Sequence, residues 1–347
     1  MKIRIGIIGA SGYTGLELAR LVALHPKFEL TCITAKKYAG VKISELYPSL
    51  LGFCDLVLEE YDESVVSEKC DAVLLGLPSG ESMKVALKLY ENGIPIVDLS
   101  ADLRFEDANN YEYWYGLKHL CPEISRVAVY GLPELYRNEI NDAKVVANPG
   151  CYPTAALIAL YPALKASLCG STIIIDAKSG ISGAGRQLTL ETHFPQAADT
   201  ISPYKVSGHR HLGEIESEIK KIVKVDNPQI VFVPHLVPMN RGILCTIYVP
   251  LRNEINIDEI REIYEGEYKN ELFVRLLDKG IYPSTKSVQG SNFAHVSFEL
   301  SHDRKTLVLM SAIDNLVKGA AGQAIQNLNI MLGIYEGEGL LWPGVFP

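Results

Sequence analysis

The chain has no Cys-x-x-Cys pair, no concentrated basic stretch, no internal repeat and no apolar run near the roughly eighteen residues of a membrane span. Each absence removes a class of function. Seven cysteines (Cys32, Cys54, Cys70, Cys121, Cys151, Cys169, Cys245) at irregular spacings argue against a disulfide framework and against a structural zinc site. The histidines show no metal-ligand spacing, so no metal is expected. A net charge of -8 without a basic cluster disfavours nucleic-acid binding, which needs a concentrated positive face to displace counterions. No membrane partner is expected. The opening residues Met-Lys-Ile-Arg-Ile-Gly-Ile-Ile-Gly lack the pattern of a secretory signal, so a cytoplasmic location is expected.

What is present is a 347-residue chain with 48% hydrophobic residues, enough for two domains with a core each. The first half alternates strands and helices: strand Ile3 to Ile8, helix Thr14 to His25, strand Phe28 to Ile33, strand Asp71 to Leu75, helix Gly80 to Asn92 and strand Ile94 to Asp98. The first and third of these strands are nearly continuous apolar runs, as in parallel strands covered on both faces. The pattern predicts an α/β, Rossmann-type doubly wound parallel sheet over residues 1–148.

Beyond it the order changes. A helix is expected from Cys151 to Lys165, a strand from Thr172 to Lys178, a helix from Leu212 to Lys224, and then several strands without crossover helices, which suggests an α+β domain with a mainly antiparallel sheet over 149–313. A last helix, Leu316 to Leu332, is apolar on most sides and is expected to be buried, with about 314–347 joining the first domain.

Gly9, Gly12 and Gly15 lie at the turn from the first strand into the first helix, which brings backbone close to a dinucleotide pyrophosphate and aims a helix N-terminus at it. The second strand runs into Ile33-Thr34-Ala35-Lys36-Lys37 with no carboxylate for a ribose 2′-hydroxyl. The Thr34 hydroxyl and the two cations Lys36 and Lys37 suit a 2′-phosphate instead, so NADP(H) is expected over NAD.

Cys151, in Val-Val-Ala-Asn-Pro-Gly-Cys-Tyr-Pro-Thr (Val145 to Thr154), stands where a strand, a turn and a helix start meet. A helix N-terminus favours thiolate over thiol, which makes a nucleophile. A dinucleotide domain followed by such a cysteine points to hydride transfer with a covalent thioester. An acid/base is available in Ser207-Gly208-His209-Arg210-His211, where Glu214, three residues beyond His211, shares its helix face and could orient it. The loop Lys178 to Arg186, with three glycines and hydroxyls, reads as an anion-binding loop. Arg104, past the strand ending at Asp98, is a second anion-site candidate at the carboxyl edge of the sheet.

Taken in order, Gly9 to Gly15, Asp98 to Arg104, Tyr130 to Glu134, Asn148 to Thr154, Ser179 to Arg186, His209 to His211, Pro234 to Gly242 and Asp314 to Ala324 resemble the N-acetyl-γ-glutamyl-phosphate reductases of arginine biosynthesis, over nearly the whole chain. These are relatives of aspartate-semialdehyde dehydrogenase with a glyceraldehyde-3-phosphate-dehydrogenase-like C-terminal domain. The resemblance implies Cys151 as nucleophile and His211 as acid/base. It implies NADP(H) on Gly9, Ser11, Gly12, Tyr13, Thr14 and Gly15, with Thr34 and Lys36 at the 2′-phosphate and Ser182, Gly183 and Asn315 toward the nicotinamide. Around the substrate it implies Arg104, Asn148, Lys178, Arg186, His209, Arg210 and Glu214, and it implies a homodimer or homotetramer.

Ala35-Lys36 stands where the family usually has Ser-Arg, and Leu77-Pro78-Ser79 where Pro-His is common. The expected reaction is NADPH-dependent reduction of N-acetylglutamyl 5-phosphate to the 5-semialdehyde with release of phosphate. The alternatives are a reductase of another acyl phosphate, carrier-bound aminoadipyl or aspartyl phosphate, and a nonenzymatic NADP-binding sensor. The residues leave open which of Arg104, Lys178, Arg186 and Arg210 meets phosphate and which meets a substrate carboxylate.

Overall fold

The structure, a computed structural model, describes residues 2–206, 208–223 and 227–346. Ser207, and Lys224 at the end of an expected helix, lie outside the described residues. Two compact units divide the chain: Met1–Pro149 with Ala320–Leu341, and Gly150–Gly319 with Trp342–Pro347.

The first unit holds six parallel strands, β1 (Ile3–Ile8), β2 (Phe28–Thr34), β3 (Ala72–Leu75), β4 (Ile96–Asp98), β5 (Val129–Tyr130) and β6 (Val145–Ala147). Their order in the sheet is β2-β1-β3-β4-β6-β5. The chain therefore leaves β1 toward one side and later resumes at β3 on the other, the doubly wound arrangement with its ligand crevice at the carboxyl ends of the strands that flank the switch. Ile5, Ile7, Leu74 and Val97 are wholly buried. The helix Tyr13–Leu24 covers one side of β1 with Leu18, Leu21 and Val22, an i, i+3, i+4 stripe.

The expected final helix is two pieces. A π-helical turn, Val317–Ala321, precedes the α-helix Gly322–Met331. That helix is buried, and its hidden side carries amides as well as aliphatic groups. Asn327 Nδ2 donates to the Gly131 carbonyl at 2.8 Å and to Asn148 Oδ1 at 3.1 Å, which satisfies polar groups that burial would otherwise leave costly.

The second unit is built on seven strands, β7 (Thr172–Gly180), β8 (Ser202–Pro203), β9 (Gln229–Val237), β10 (Ile243–Pro250), β11 (Val274–Leu276), β12 (Ala294–Leu300) and β13 (Thr306–Ile313), in the order β11-β12-β13-β10-β7-β9-β8. The sheet is antiparallel except at β7–β9 and β11–β12. The helix His211–Ile222 is the crossover that a parallel β7–β9 pair requires, a connection the run of later strands conceals in the sequence. On β7, Ile173, Ile175 and Ala177 are wholly buried and alternate with more exposed Ile174, Asp176 and Lys178. The helix Cys151–Lys165 packs on the buried face, where Ser311 Oγ donates to the Ala155 carbonyl at 2.7 Å.

Candidate active site

Cys151 is the first residue of its helix, and Gly150, in extended conformation, is the N-cap. The positive end of the helix dipole thus stands at the thiol, an environment that favours an anion. Cys151 is half-buried, whereas the other six cysteines are buried. Burial pushes the thiols of Cys169 and Cys245 up to about 12, so neither is a nucleophile near neutral pH.

Cys151 opens on a cavity of about 380 Å³ that also presents His209, Arg210, His211, Gly183 and Ser179. Tyr152, the next residue, turns inward and donates from its hydroxyl to the His235 carbonyl at 3.2 Å. Its ring forms an aromatic floor with His209, His211 and Phe232.

The two imidazoles are not equivalent. His209 is buried, and burial, aided by the charges of Arg210 and Lys205, holds its pKa down to about 3. Its Nδ1 accepts the His211 backbone N–H at 3.2 Å, which fixes the proton of the neutral ring on Nε2. His209 therefore fastens the start of the helix that His211 opens. His211 lines the cavity with its ring 4.9 Å from that of His209.

The glycine-rich loop after β7 is held from below. Gly180 N–H donates to the Gly242 carbonyl at 2.9 Å, Ile181 N–H to Met239 at 2.9 Å and Ser182 N–H to Asn240 at 3.1 Å. Asn315 bridges the same parts, its Nδ2 donating to Ser182 Oγ at 3.0 Å and its Oδ1 accepting the Gly242 N–H at 2.6 Å. Gly183 lies so close that a Cβ there would stand 2.9 Å from Ser179 Oγ. Ser182, Gly183 and Asn315 thus form one cluster.

In the first unit the three glycines divide the work. Gly9 leaves β1 at a φ of 94°, and a Cβ there would stand 2.6 Å from the Gly76 carbonyl oxygen at the end of β3. Gly15 packs its helix onto the loop, with Ala10 Cα 2.6 Å from where its Cβ would be. Gly12, the helix N-cap, faces open space. That is the division expected when the middle glycine must let a pyrophosphate approach the backbone. No acidic side chain stands in the first helical turn. Ser11 accepts at its carbonyl from the Tyr47 hydroxyl at 2.6 Å, and Tyr13 and Thr14 begin the helix half-buried. The Thr34 carbonyl receives the amides of Gly9 and Ala10 at 3.1 and 2.9 Å, while Lys36 is exposed on the turn just beyond. The residues present fit a dinucleotide.

Lys178 is on the opposite face of β7 from Ser179, paired with Asp176 at 2.6 Å, and does not line the cavity. Arg104 and Asn148 belong to the first unit, where Arg104 Nε donates to the Asn148 carbonyl at 2.8 Å and its Nη2 to that of Leu99 at 2.9 Å. Arg186 is half-buried just past the glycine loop. Glu214 reaches Gly150, accepting its N–H at 2.7 Å. Tyr204, Lys205, Glu191 and Thr192 line the cavity without any sequence signal: they come from a segment with neither helical nor strand periodicity.

Two family models match the chain, "Semialdehyde dehydrogenase, NAD binding domain" over residues 4–143 and "Semialdehyde dehydrogenase, dimerisation domain" over 151–315. N-acetyl-γ-glutamyl-phosphate reductase of Thermoanaerobacter sp. (strain X514) is 46% identical over 346 residues, spanning 99% of this chain and 100% of the relative. The chain belongs to the N-acetyl-γ-glutamyl-phosphate reductase family. The Pelotomaculum thermopropionicum reductase is 47% identical over 350 residues, with both chains fully spanned. Among solved structures, aspartate semialdehyde dehydrogenase II of Vibrio cholerae, complexed with ASA, matches with a TM-score of 0.73 at 17% identity, covering 96% of this chain and 99% of that one. The Candida albicans aspartate semialdehyde dehydrogenase with NADP matches at 0.68 and 16%, covering 96% and 99%. These two share the fold with this reductase-family chain. Its dimerisation-domain match begins at Cys151 and ends at Asn315.

Proposed function

We propose that the protein catalyses NADPH-dependent reduction of N-acetyl-L-glutamyl 5-phosphate to N-acetyl-L-glutamate 5-semialdehyde with release of phosphate, as a cytoplasmic enzyme of arginine biosynthesis; its relatives are named as reductases of that substrate. The observation that carries the mechanism is Cys151 at a helix N-terminus, on one cavity with His211. The Cys151 thiolate attacks the acyl carbon and expels phosphate, leaving a thioester. The Gly9–Gly15 loop, with Lys36 toward the 2′-phosphate, would hold NADPH, whose chemistry when bound would be donation of a hydride to this thioester. His211 gives a proton to the resulting thiohemiacetal oxyanion and takes it back as the C–S bond breaks, which returns the thiolate and frees the aldehyde. Arg210 and Lys205, both at the cavity, supply the positive charge that an anionic substrate requires in a chain of net charge -8.

Phosphate-dependent reduction of NADP with N-acetylglutamate semialdehyde, compared with aspartate and aminoadipate semialdehydes, tests the substrate. Comparable rates on all three defeat the assignment. Cys151→Ser tests the mechanism: turnover is abolished while NADP still binds, and near wild-type turnover removes the thioester.

The assembly is a homodimer, or a dimer of dimers, joined through the outer face of the second sheet. Ile174 sits opposite Val231 on one side and Tyr248 on the other, and all three are exposed, a cross-strand apolar row that supports burial against a second copy. Among the described residues no helix is long and apolar enough to cross a membrane.

A further inference from the structure

The helix that carries Cys151 has a glycine as its N-cap, so no side chain of the cap residue can accept from the amides of its first turn. Gly150 is nevertheless fixed at both of its peptide groups. Its carbonyl accepts the Thr154 N–H and the Thr154 hydroxyl, each at 2.9 Å. Its N–H donates to Glu214 Oε1 at 2.7 Å. Glu214 is 1% exposed and lies one helical turn beyond His211 on the helix His211–Ile222. One carboxyl group thus ties the residue before the thiol to the helix that bears the imidazole. An acidic group against a helix N-terminus is also the favourable sign for the dipole.

We propose that Glu214 is a positioning residue for Cys151, holding the thiol in register with His211. The proposal rests on the reading of Cys151 as nucleophile. Without Glu214, the Gly150 N–H is buried and unsatisfied, and the turn shifts to find another acceptor. A displacement of about 1 Å at a nucleophile costs roughly 10²-fold in rate.

The test is steady-state kinetics of Glu214→Ala and Glu214→Gln with N-acetylglutamate semialdehyde, phosphate and NADP, alongside circular dichroism to establish folding. For the alanine variant kcat falls about 10²-fold while KM moves less than about threefold, because Glu214 is bonded to Gly150 and, despite the substrate role the resemblance implies, does not line the cavity. The glutamine variant keeps an acceptor oxygen at the same place and recovers to within about tenfold of wild type. A kcat within about threefold of wild type in the alanine variant overturns the proposal, as does a glutamine variant no better than alanine, or a loss confined to KM. Cys151→Ser is assayed in parallel. Activity there defeats the underlying reading whatever Glu214 does, so the two failures are separable.

Discussion

Gly319 lies against Cys151 so closely that a Cβ built on the glycine would stand 2.8 Å from the cysteine Cβ. The contact comes from the π-helical turn Val317–Ala321, which pushes its backbone toward the start of the Cys151 helix. Such turns recur where a backbone must meet a functional group. Asp314 anchors the turn, accepting the amides of Leu316 and Val317 at 2.8 and 3.1 Å.

Gly319→Ala therefore displaces either the turn or the thiol. The expected outcome is a loss of about 1–3 kcal/mol in stability from overpacking, with kcat reduced by about 10²-fold. Chemical denaturation and steady-state assays on the same preparation check this. A stable variant with wild-type kcat would show that the thiol tolerates displacement.

The three glycines of the first loop separate by role. Gly12→Ala adds a methyl into open space at a φ of -84°, so it leaves the melting temperature unchanged and weakens NADPH binding. Gly15→Ala adds one 2.6 Å from both Ala10 Cα and the Gly9 carbonyl oxygen, so it destabilises the fold itself, by about 1–3 kcal/mol. Thermal melts paired with NADPH titration distinguish the two. The idea fails if Gly12→Ala binds NADPH as tightly as wild type.

His209 couples stability to acid. Its folded pKa of about 3 lies below the ordinary histidine value near 6.5, so the unfolded chain binds the extra proton first. Its contribution is intact above about pH 6.5 and is lost progressively as pH falls from there toward about 3. His209→Asn, which retains an acceptor for the His211 N–H, flattens the pH dependence of unfolding free energy in that window. An unchanged slope in urea melts between pH 4 and 7 would refute this.

Charge placed on the outer face of the second sheet tests the assembly. Ile174→Glu sets a carboxylate between Val231 and Tyr248, and burial of that charge in a subunit interface is unfavourable. Sedimentation velocity is expected to show monomers for the variant and dimers or larger species for the wild type. Identical sedimentation of the two would move the interface elsewhere.

The glycines and the Cys151 helix were legible in sequence because their signals are local. A positive φ, a tight helix contact and a cap each occupy a few consecutive residues. The parallel β7–β9 pair was less so, since strand direction depends on the path of the intervening chain. Lys178 shows an intermediate case. Its sequence neighbourhood of glycines, hydroxyls and a cation suggested an anion site, yet the two-residue alternation from Ile173 to Ser179 already assigns it to the face of Ile174 and Asp176. Glu214 was expected to orient His211 by helical spacing. Its bond to Gly150 spans 64 positions and depends on two helices packing together, which no spacing rule contains. Tyr204 and Lys205 reach the cavity from a stretch whose order comes from its surroundings.

The polypeptide enters the second unit at Gly150, returns to the first at Ala320 and goes back at Trp342, whose indole donates to the Gly290 carbonyl at 3.0 Å. During synthesis the six-stranded sheet is complete by Ala147, but the helix bearing Asn327, which binds Gly131 and Asn148, does not yet exist. A growing chain must therefore carry an unfinished nucleotide-binding unit through the making of about half the protein. In a chain arrested at residue 319, the first unit still lacks the amide that Asn327 places on the Gly131 carbonyl and on Asn148, which leaves it incomplete while most of the second unit has been made.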